Sequence, residues 1–198
     1  MPDALSVGLF VEDRAHEEFL KPLIERMARE AGKTVRIRSY SASGGHPRAL
    51  DELQTFQMLV ARGVMGLSEP DILVVGIDAN CHPWSKARQR VLDRLSATLR
   101  QKVAVACPDP HIERWFMADP GSFERILGRR PRVGKRKCER DRYKRILART
   151  IAEAGYPAGL GGIEFAADIV AEMDLYEAGR NEKSLKDFVD ATRTLLAA

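Results

Sequence analysis

The chain has 198 residues, 44% of them hydrophobic and 30% charged, with a formal net charge of +4. That composition is globular rather than disordered, and the length suffices to bury a core in one domain, or in one domain with a small appendage, without disulfide staples. No apolar run approaches the roughly 18–20 residues a membrane helix needs, and Met1 to Phe10 lacks the basic flank and cleavage site of a signal peptide, so a cytoplasmic protein with no membrane contact is expected.

Leu5 to Val11 is a short apolar run of the kind a buried parallel strand requires. From His16 to Ala31, Phe19, Leu20, Leu23, Ile24 and Met27 recur at helical spacing, and Gly32 stops the pattern. Pro22 lies inside it and predicts either a kink or a helix that starts later than His16. Val35 to Tyr40 alternates as a second strand. The loop Ser41 to Pro47 contains Gly44-Gly45. Arg48 to Val64 is a second amphipathic helix. Ile72 to Ile77 is the clearest strand in the chain and runs into Asp78. Ser85 to Arg100 is a third helix, Val103 to Cys107 a fourth strand, and His111 to Met117 a short helix. Strands alternating with helices in this way predict βαβ units around a parallel sheet, with helices on both faces. Beyond Asp119 the pattern becomes helical: Phe123 to Leu127, Arg140 to Ala154, Ile163 to Met173 and Ser184 to Leu196, with a turn-rich break from Gly155 to Gly162. The expected division is an α/β domain over 1–120 and a helical extension over 121–198 packed on it.

Charge is unevenly spread. Between Arg129 and Arg145 ten Lys or Arg residues stand against Glu139 and Asp141, while the rest of the chain is mildly acidic. Such a segment suits an anionic partner, or is simply a solvated helix face. Carboxylates, by contrast, gather where strands end: Glu12-Asp13 after the first, Asp78 after the third, Asp109 and Glu113 after the fourth. In open α/β sheets ligands bind beyond the carboxyl ends of the strands. Like charges held close together call for a cation, and oxygen donors favour Mg²⁺ or Mn²⁺. The same residue types also serve as turn formers and helix caps.

Other residues carry weaker signals. Cys81-His82 and Cys107 with His111 follow neighbouring strands and could bind zinc, or supply a nucleophile and base, although their spacing matches no zinc-knuckle pattern. Three cysteines, the third being Cys138, predict no disulfide framework. Trp84 and Trp115 could stack on bases, but Trp115 beside Phe116 and Met117 reads as core. Ser43-Gly44-Gly45-His46 could cradle a phosphate or form a plain turn. No Walker A motif is present.

The segment Phe10-Val11-Glu12-Asp13-Arg14-Ala15-His16-Glu17-Glu18-Phe19-Leu20 resembles the first Toprim motif, a strand ending in Glu and leading into a helix. Asp78-Ala79-Asn80 resembles the second, Asp-x-Asp. Asp109 to Asp119, containing Glu113-Arg114-Trp115, resembles the Glu-x-Trp signature of a family of small Toprim-like proteins of unknown function, often encoded beside ABC-type ATPases. Gly155-Tyr156, Ile163 to Met173 and Ser184 to Phe188 resemble its closing pattern, so the likeness spans most of the chain.

The resemblance implies a Toprim-like three-layer α/β domain with a mostly parallel four-stranded sheet and a C-terminal helical extension. It implies Glu12, Asp78 and Glu113 as catalytic residues, and Glu12, Asp78 and Asn80 as ligands of Mg²⁺ or Mn²⁺. The function it implies is metal-dependent phosphoryl transfer on nucleic acid, as a nuclease subunit or effector in DNA repair or phage defence with a separate ABC-type ATPase. Arg129, Arg130, Arg132, Lys135, Arg136 and Lys137 would then contact phosphates. Three departures stand out: Asp13 replaces the usual Gly, His16 an acidic residue, and Asn80 the second Asp. They point to the alternative, a non-catalytic adaptor of Toprim fold that regulates a partner ATPase.

Overall fold

In the computed structural model the described residues are 4–64, 67–134, 138–139 and 141–198. Four strands, β1 (Leu5–Val11), β2 (Val35–Ser41), β3 (Ile72–Gly76) and β4 (Val103–Ala106), form one all-parallel sheet in the order β2-β1-β3-β4. Every residue of β3 is buried, as is the carboxyl-terminal part of β1. These continuous apolar runs belong to central strands covered on both faces. β2 alternates and is only partly buried, which fits its place at an edge.

The connections decide which face each helix covers. α1 (Arg14–Glu30) leads from β1 out to β2, whereas α2 (His46–Ala61) leads back across β1 to β3. Right-handed crossovers in opposite directions put these two helices on opposite faces. α3 (Trp84–Arg94) and α4 (Ala97–Arg100) join β3 to β4 in the same direction as α2 and share its face. Alternate strand residues feed two cores: Leu9, Val74 and Ala104 face the α1 side, where α10 packs on β4, while Phe10, Val75 and Val105 face the side of α2 and α3.

The remaining helices are α5 (Ile112–Phe116), α6 (Pro120–Leu127), α7 (Arg142–Glu153), α8 (Ala166–Glu172) with a 3-10 turn at Ile163–Phe165 before it, α9 (Leu175–Asn181) and α10 (Lys183–Ala197). They complete the α1 face. Trp115 is fully buried, packs on Phe19 and Phe188, and donates its indole N–H to Ser184 Oγ at 3.0 Å. Apolar side chains of α6 to α10, such as Phe123, Leu147, Ile169, Leu175 and Phe188, therefore share one cluster with β1 and α1. The architecture is a three-layer α/β domain, and Trp115 is core rather than a stacking platform.

Three local readings are corrected. Pro22 sits inside α1 without delaying its start. An interior Pro costs about 3 kcal/mol, but Phe19, Leu20 and Leu23 alone, each fully buried, return about 1.5–3 kcal/mol apiece. The Asp13 cap fixes the first turn, because its Oδ1 accepts the His16 amide at 3.1 Å. The single helix expected over Ser85 to Arg100 breaks at Leu95–Ser96, where the Ser96 hydroxyl caps α4 by accepting the Leu99 amide. Short α9 shows no separate signal in the sequence; Asp174 caps it through the amides of Tyr176 and Glu177.

Candidate metal centre

Val11 pairs level with Ser41 and with Gly76, and Gly76 with Ala106, so the strands end together. Between β1 and β3 the chain leaves for opposite faces, which opens a crevice at the carboxyl ends. Glu12 follows β1 and Asp78 follows β3. The two residues meet there: the Asp78 amide donates to Glu12 Oε2 at 3.1 Å, and the Glu12 amide donates to the Gly76 carbonyl at 2.9 Å.

A third group arrives from α1. His16, in the first turn, is completely buried. Its Nδ1 lies 2.8 Å from Asp13 Oδ1, and its Nε2 lies 3.1 Å from Asp78 Oδ1. A carboxylate can only accept, so Asp13 holds the proton on Nδ1 and leaves Nε2 aimed at Asp78. That Nε2 is close enough for an ion pair but off the line of a hydrogen bond, and it is a buried polar atom without a hydrogen-bond partner among the described residues. Ligand atoms of Glu12, His16 and Asp78 all lie within 4.8 Å of one another, so this buried group can hold a metal ion. Gly76 makes the approach possible. A Cβ there would stand 2.7 Å from Leu20 Cδ1 and 3.3 Å from His16 Cδ2.

Two further imidazoles brace the carboxylates. His46, the first residue of α2, places Nδ1 3.0 Å from Glu12 Oε2. His111 places Nδ1 2.9 Å from Asp78 Oδ2, and the Ile112 amide donates to Asp78 Oδ1 at 3.0 Å. The charges shift one another accordingly. Burial alone would lower His16, but Asp78 and Asp13 overcome it and raise it well above the ordinary imidazole value. His46 is raised by its bond to Glu12, and His111 by its bond to Asp78. Burial would raise Asp78, yet His16 and His111 hold it low, and the His16 ring and amide bring Asp13 down to about 2 against the same opposing effect. Glu113 goes the other way, pushed up first by burial and then by the Asp78 charge.

Glu12, Asp78, Asn80 and Glu113 all line one cavity of about 560 Å³, together with His46, His111, Lys144 and Cys81. Asn80 adopts a left-handed backbone (φ 51°), a conformation Asn tolerates well, and its amide donates to the Pro110 carbonyl at 2.9 Å. The expected ligand Asn80 thus also serves as the turn that follows β3.

Arg129, Arg130 and Arg132 lie elsewhere, lining a groove of about 950 Å³ beside α7 with Arg149, Glu124 and Glu153. Lys135, Arg136 and Lys137 lie outside the described residues. Part of the basic charge is already met: Arg142 and Arg145 pair with Glu139, and Arg149 pairs with Glu153.

Other expectations change. The Ser43 and Gly44 amides donate to Glu52, so this loop presents its amides to the chain's own carboxylate rather than to a phosphate. Cys107 is buried with its thiol pushed up to about 12, first by burial and then by Asp78, which disfavours the thiolate that nucleophilic chemistry needs. Cys81 is joined to Cys138 by a disulfide, contrary to the expectation from an odd cysteine count.

Among the described residues no helix is long and apolar enough to cross a membrane. Comparison with protein-family models, curated proteins and solved structures finds no match.

Proposed function

We propose that the carboxyl edge of the sheet is a divalent-metal centre for phosphodiester hydrolysis in nucleic acid. The observation that carries this reading is the buried convergence of Glu12, His16 and Asp78, with the His16 Nε2 lacking a hydrogen bond. Two carboxylates and one imidazole suit Mn²⁺ better than Mg²⁺, which prefers an all-oxygen shell. The resemblance to Toprim proteins supports the same metal chemistry at Glu12 and Asp78. When bound, such an ion would polarise a phosphodiester and lower the pKa of a bound water.

The chain's own residues supply the rest. Asp13 fixes the His16 tautomer, as carboxylates commonly do behind metal-binding histidines. The Ile112 amide and His111 orient Asp78. Glu113, raised by burial, holds its proton to higher pH than an ordinary Glu and is suited to hand it to a leaving oxygen. Lys144 on the cavity wall offers charge to a phosphate. Arg129, Arg130 and Arg132 extend that attraction along the neighbouring groove, giving salt-dependent and largely sequence-independent binding. An ABC-type ATPase encoded separately would be the partner that controls access.

One observation favours the adaptor reading. Asp78 already has three partners of its own chain, so the cluster is electrostatically satisfied without catalysis. A plasmid-nicking assay with Mn²⁺ or Mg²⁺ separates the two. Nicking by the wild type and none by Glu12→Ala is expected of a nuclease; cleavage by both, or by neither, defeats the catalytic reading.

A further inference from the structure

A second crevice, of about 690 Å³, opens among α1, α6, the end of α8, α9 and α10. That volume is in the range of small-molecule sites. Arg26, on its wall, stands about 15 Å further along α1 than His16, and no described residue lines both this crevice and the cavity at the carboxyl edge.

Two arginines converge there on the last turn of α8. Arg26 is mostly buried, with 22% of its side chain exposed. Its Nη1 donates to the Val170 and Met173 carbonyls, each at 2.7 Å, and its Nε donates to Glu30 at 2.8 Å. A guanidinium carries five N–H donors, and among the described residues nothing accepts from Nη2. Arg125 approaches from α6. Its Nη2 donates to the Ser122 hydroxyl at 2.6 Å, and that oxygen lies 2.7 Å from the Glu172 carbonyl. Among the described residues no carboxylate stands within ion-pair distance of Arg125. Each guanidinium therefore keeps N–H groups for a ligand.

Tyr176, near the start of α9, lines the same crevice. It is 73% exposed, more than any other large hydrophobic side chain among the described residues. Arg180, one turn on, lies over the ring 6.0 Å from its centroid, at the outer limit of cation–π attraction. Met173, Leu175 and Val189 add buried apolar wall. The crevice is not uniformly basic, since Glu172, Asp174 and Asp190 line it too. Carboxylates interspersed in this way repel a run of backbone phosphates, while two arginines suffice for one phosphate.

We propose that this crevice is a nucleotide site, in which the base stacks on Tyr176 and one phosphate is held by Arg26 and Arg125. An exposed π-face suits a base, and planar guanidinium groups suit a phosphate. The nucleotide is either free or the phosphorylated end of a strand, and both present the same chemistry. The site is separate from the metal centre and does not depend on the function proposed above.

The test is calorimetric titration of the full chain in EDTA, which keeps divalent ions off the carboxyl edge. Adenosine monophosphate is the probe, with adenosine and inorganic phosphate as its two halves. One molecule should bind per chain, and each half should bind at least about tenfold more weakly, because linking two contacts saves an association cost. Tyr176→Ala should weaken the monophosphate about tenfold, while Tyr176→Phe keeps its affinity. Arg125→Ala should weaken it about tenfold and leave adenosine unchanged. Both side chains are exposed, so the unfolding midpoints should not move. Glu12→Ala should bind the monophosphate as the wild type does. A short oligonucleotide that gains affinity from a terminal phosphate, and loses that gain in Tyr176→Ala, identifies a strand end as the source; monophosphate binding without that gain identifies the free nucleotide. Either result sustains the site.

No saturable binding of the monophosphate would overturn the proposal. So would binding that neither Tyr176→Ala nor Arg125→Ala weakens, because the ligand would then sit elsewhere. Inorganic phosphate binding as tightly as the monophosphate would overturn the stacking, and with it the nucleotide.

Discussion

The carboxyl edge of the sheet and the arginine-lined groove beside α7 both concentrate charge, but they hold it differently. At the edge the His16 side chain is 0% exposed and those of Glu12 and Asp78 are 11% exposed, and each is fixed by backbone amides, by neighbouring side chains or by both. In the groove the side chains of Arg130 and Arg149 are 65% and 80% exposed, and they pair with the exposed Glu124 and Glu153. Buried charges that are fully partnered are positioned to a fraction of an ångström and shift one another's protonation. Exposed pairs are screened, and their geometry is loose. The edge thus holds its charges at one point, where an ion can sit, and the groove spreads its charges over a surface.

The strongest way to break this contrast is to remove a charge from the edge. Asp78→Ala leaves His16 and His111 facing a hole. It should cost about 3 kcal/mol or more in a denaturant titration, as expected when one partner of a buried pair is deleted. It should also abolish Mn²⁺ binding by calorimetry. Asp13→Ala removes the group behind His16 and the cap of α1 together, so Mn²⁺ affinity should fall by roughly 10–100-fold while binding persists, and stability should fall by about 0.5–2 kcal/mol for the lost cap. An unchanged affinity would mean that His16 does not bind the ion.

Gly76→Ala sharpens the comparison without touching a charge. The new methyl meets Leu20 and His16, and overpacking of this kind costs about 1–3 kcal/mol. The loss should appear in the unfolding midpoint together with weaker Mn²⁺ binding. A variant as stable as the wild type would show that α1 is not held against the end of β3 as described.

pH provides a finer probe. Burial alone would lower His16, but Asp78 and Asp13 hold it protonated well above its ordinary range, and only the neutral imidazole binds metal. An incoming ion must therefore displace a proton. Mn²⁺ affinity should rise by about tenfold per pH unit below the raised His16 value and level off above it. A flat profile from about pH 6 to 8 would exclude His16 as a ligand.

The smallest effect belongs to the groove. Arg129→Ala with Arg130→Ala and Arg132→Ala should weaken oligonucleotide binding uniformly across sequences. The salt slope should fall by about one for each phosphate that an arginine no longer neutralises, with the unfolding midpoint unchanged. A slope that does not move would make the groove a solvated surface only.

The sequence discloses the sheet well, because apolar runs such as Ile72 to Ile77 admit few other readings. Glu12 and Asp78 are legible for the same reason, since their positions follow from where strands end. His16 and His46 are not legible as site residues. Each opens a helix, and its aim depends on which face the crossover selects and on Gly76 leaving room. His16 reads in the sequence as a departure from an acidic pattern, and Asp13 as a second one. In the structure the two form one unit, with the Asp13 carboxylate accepting from Nδ1 while Nε2 faces Asp78. The Cys81–Cys138 link is hidden by an odd cysteine count and a separation of 57 residues. Pro22 misleads because local propensity yields to the burial of a whole helix face.

The claim on which the rest stands is that Glu12, His16 and Asp78 hold one divalent ion. Pulsed electron paramagnetic resonance of the protein loaded with Mn²⁺ tests it directly. One bound ion per chain with nitrogen coupling from an imidazole, the coupling absent in His16→Ala and the ion absent in Asp78→Ala, is the predicted result. No bound ion, or a bound ion with no coupled nitrogen, would contradict it.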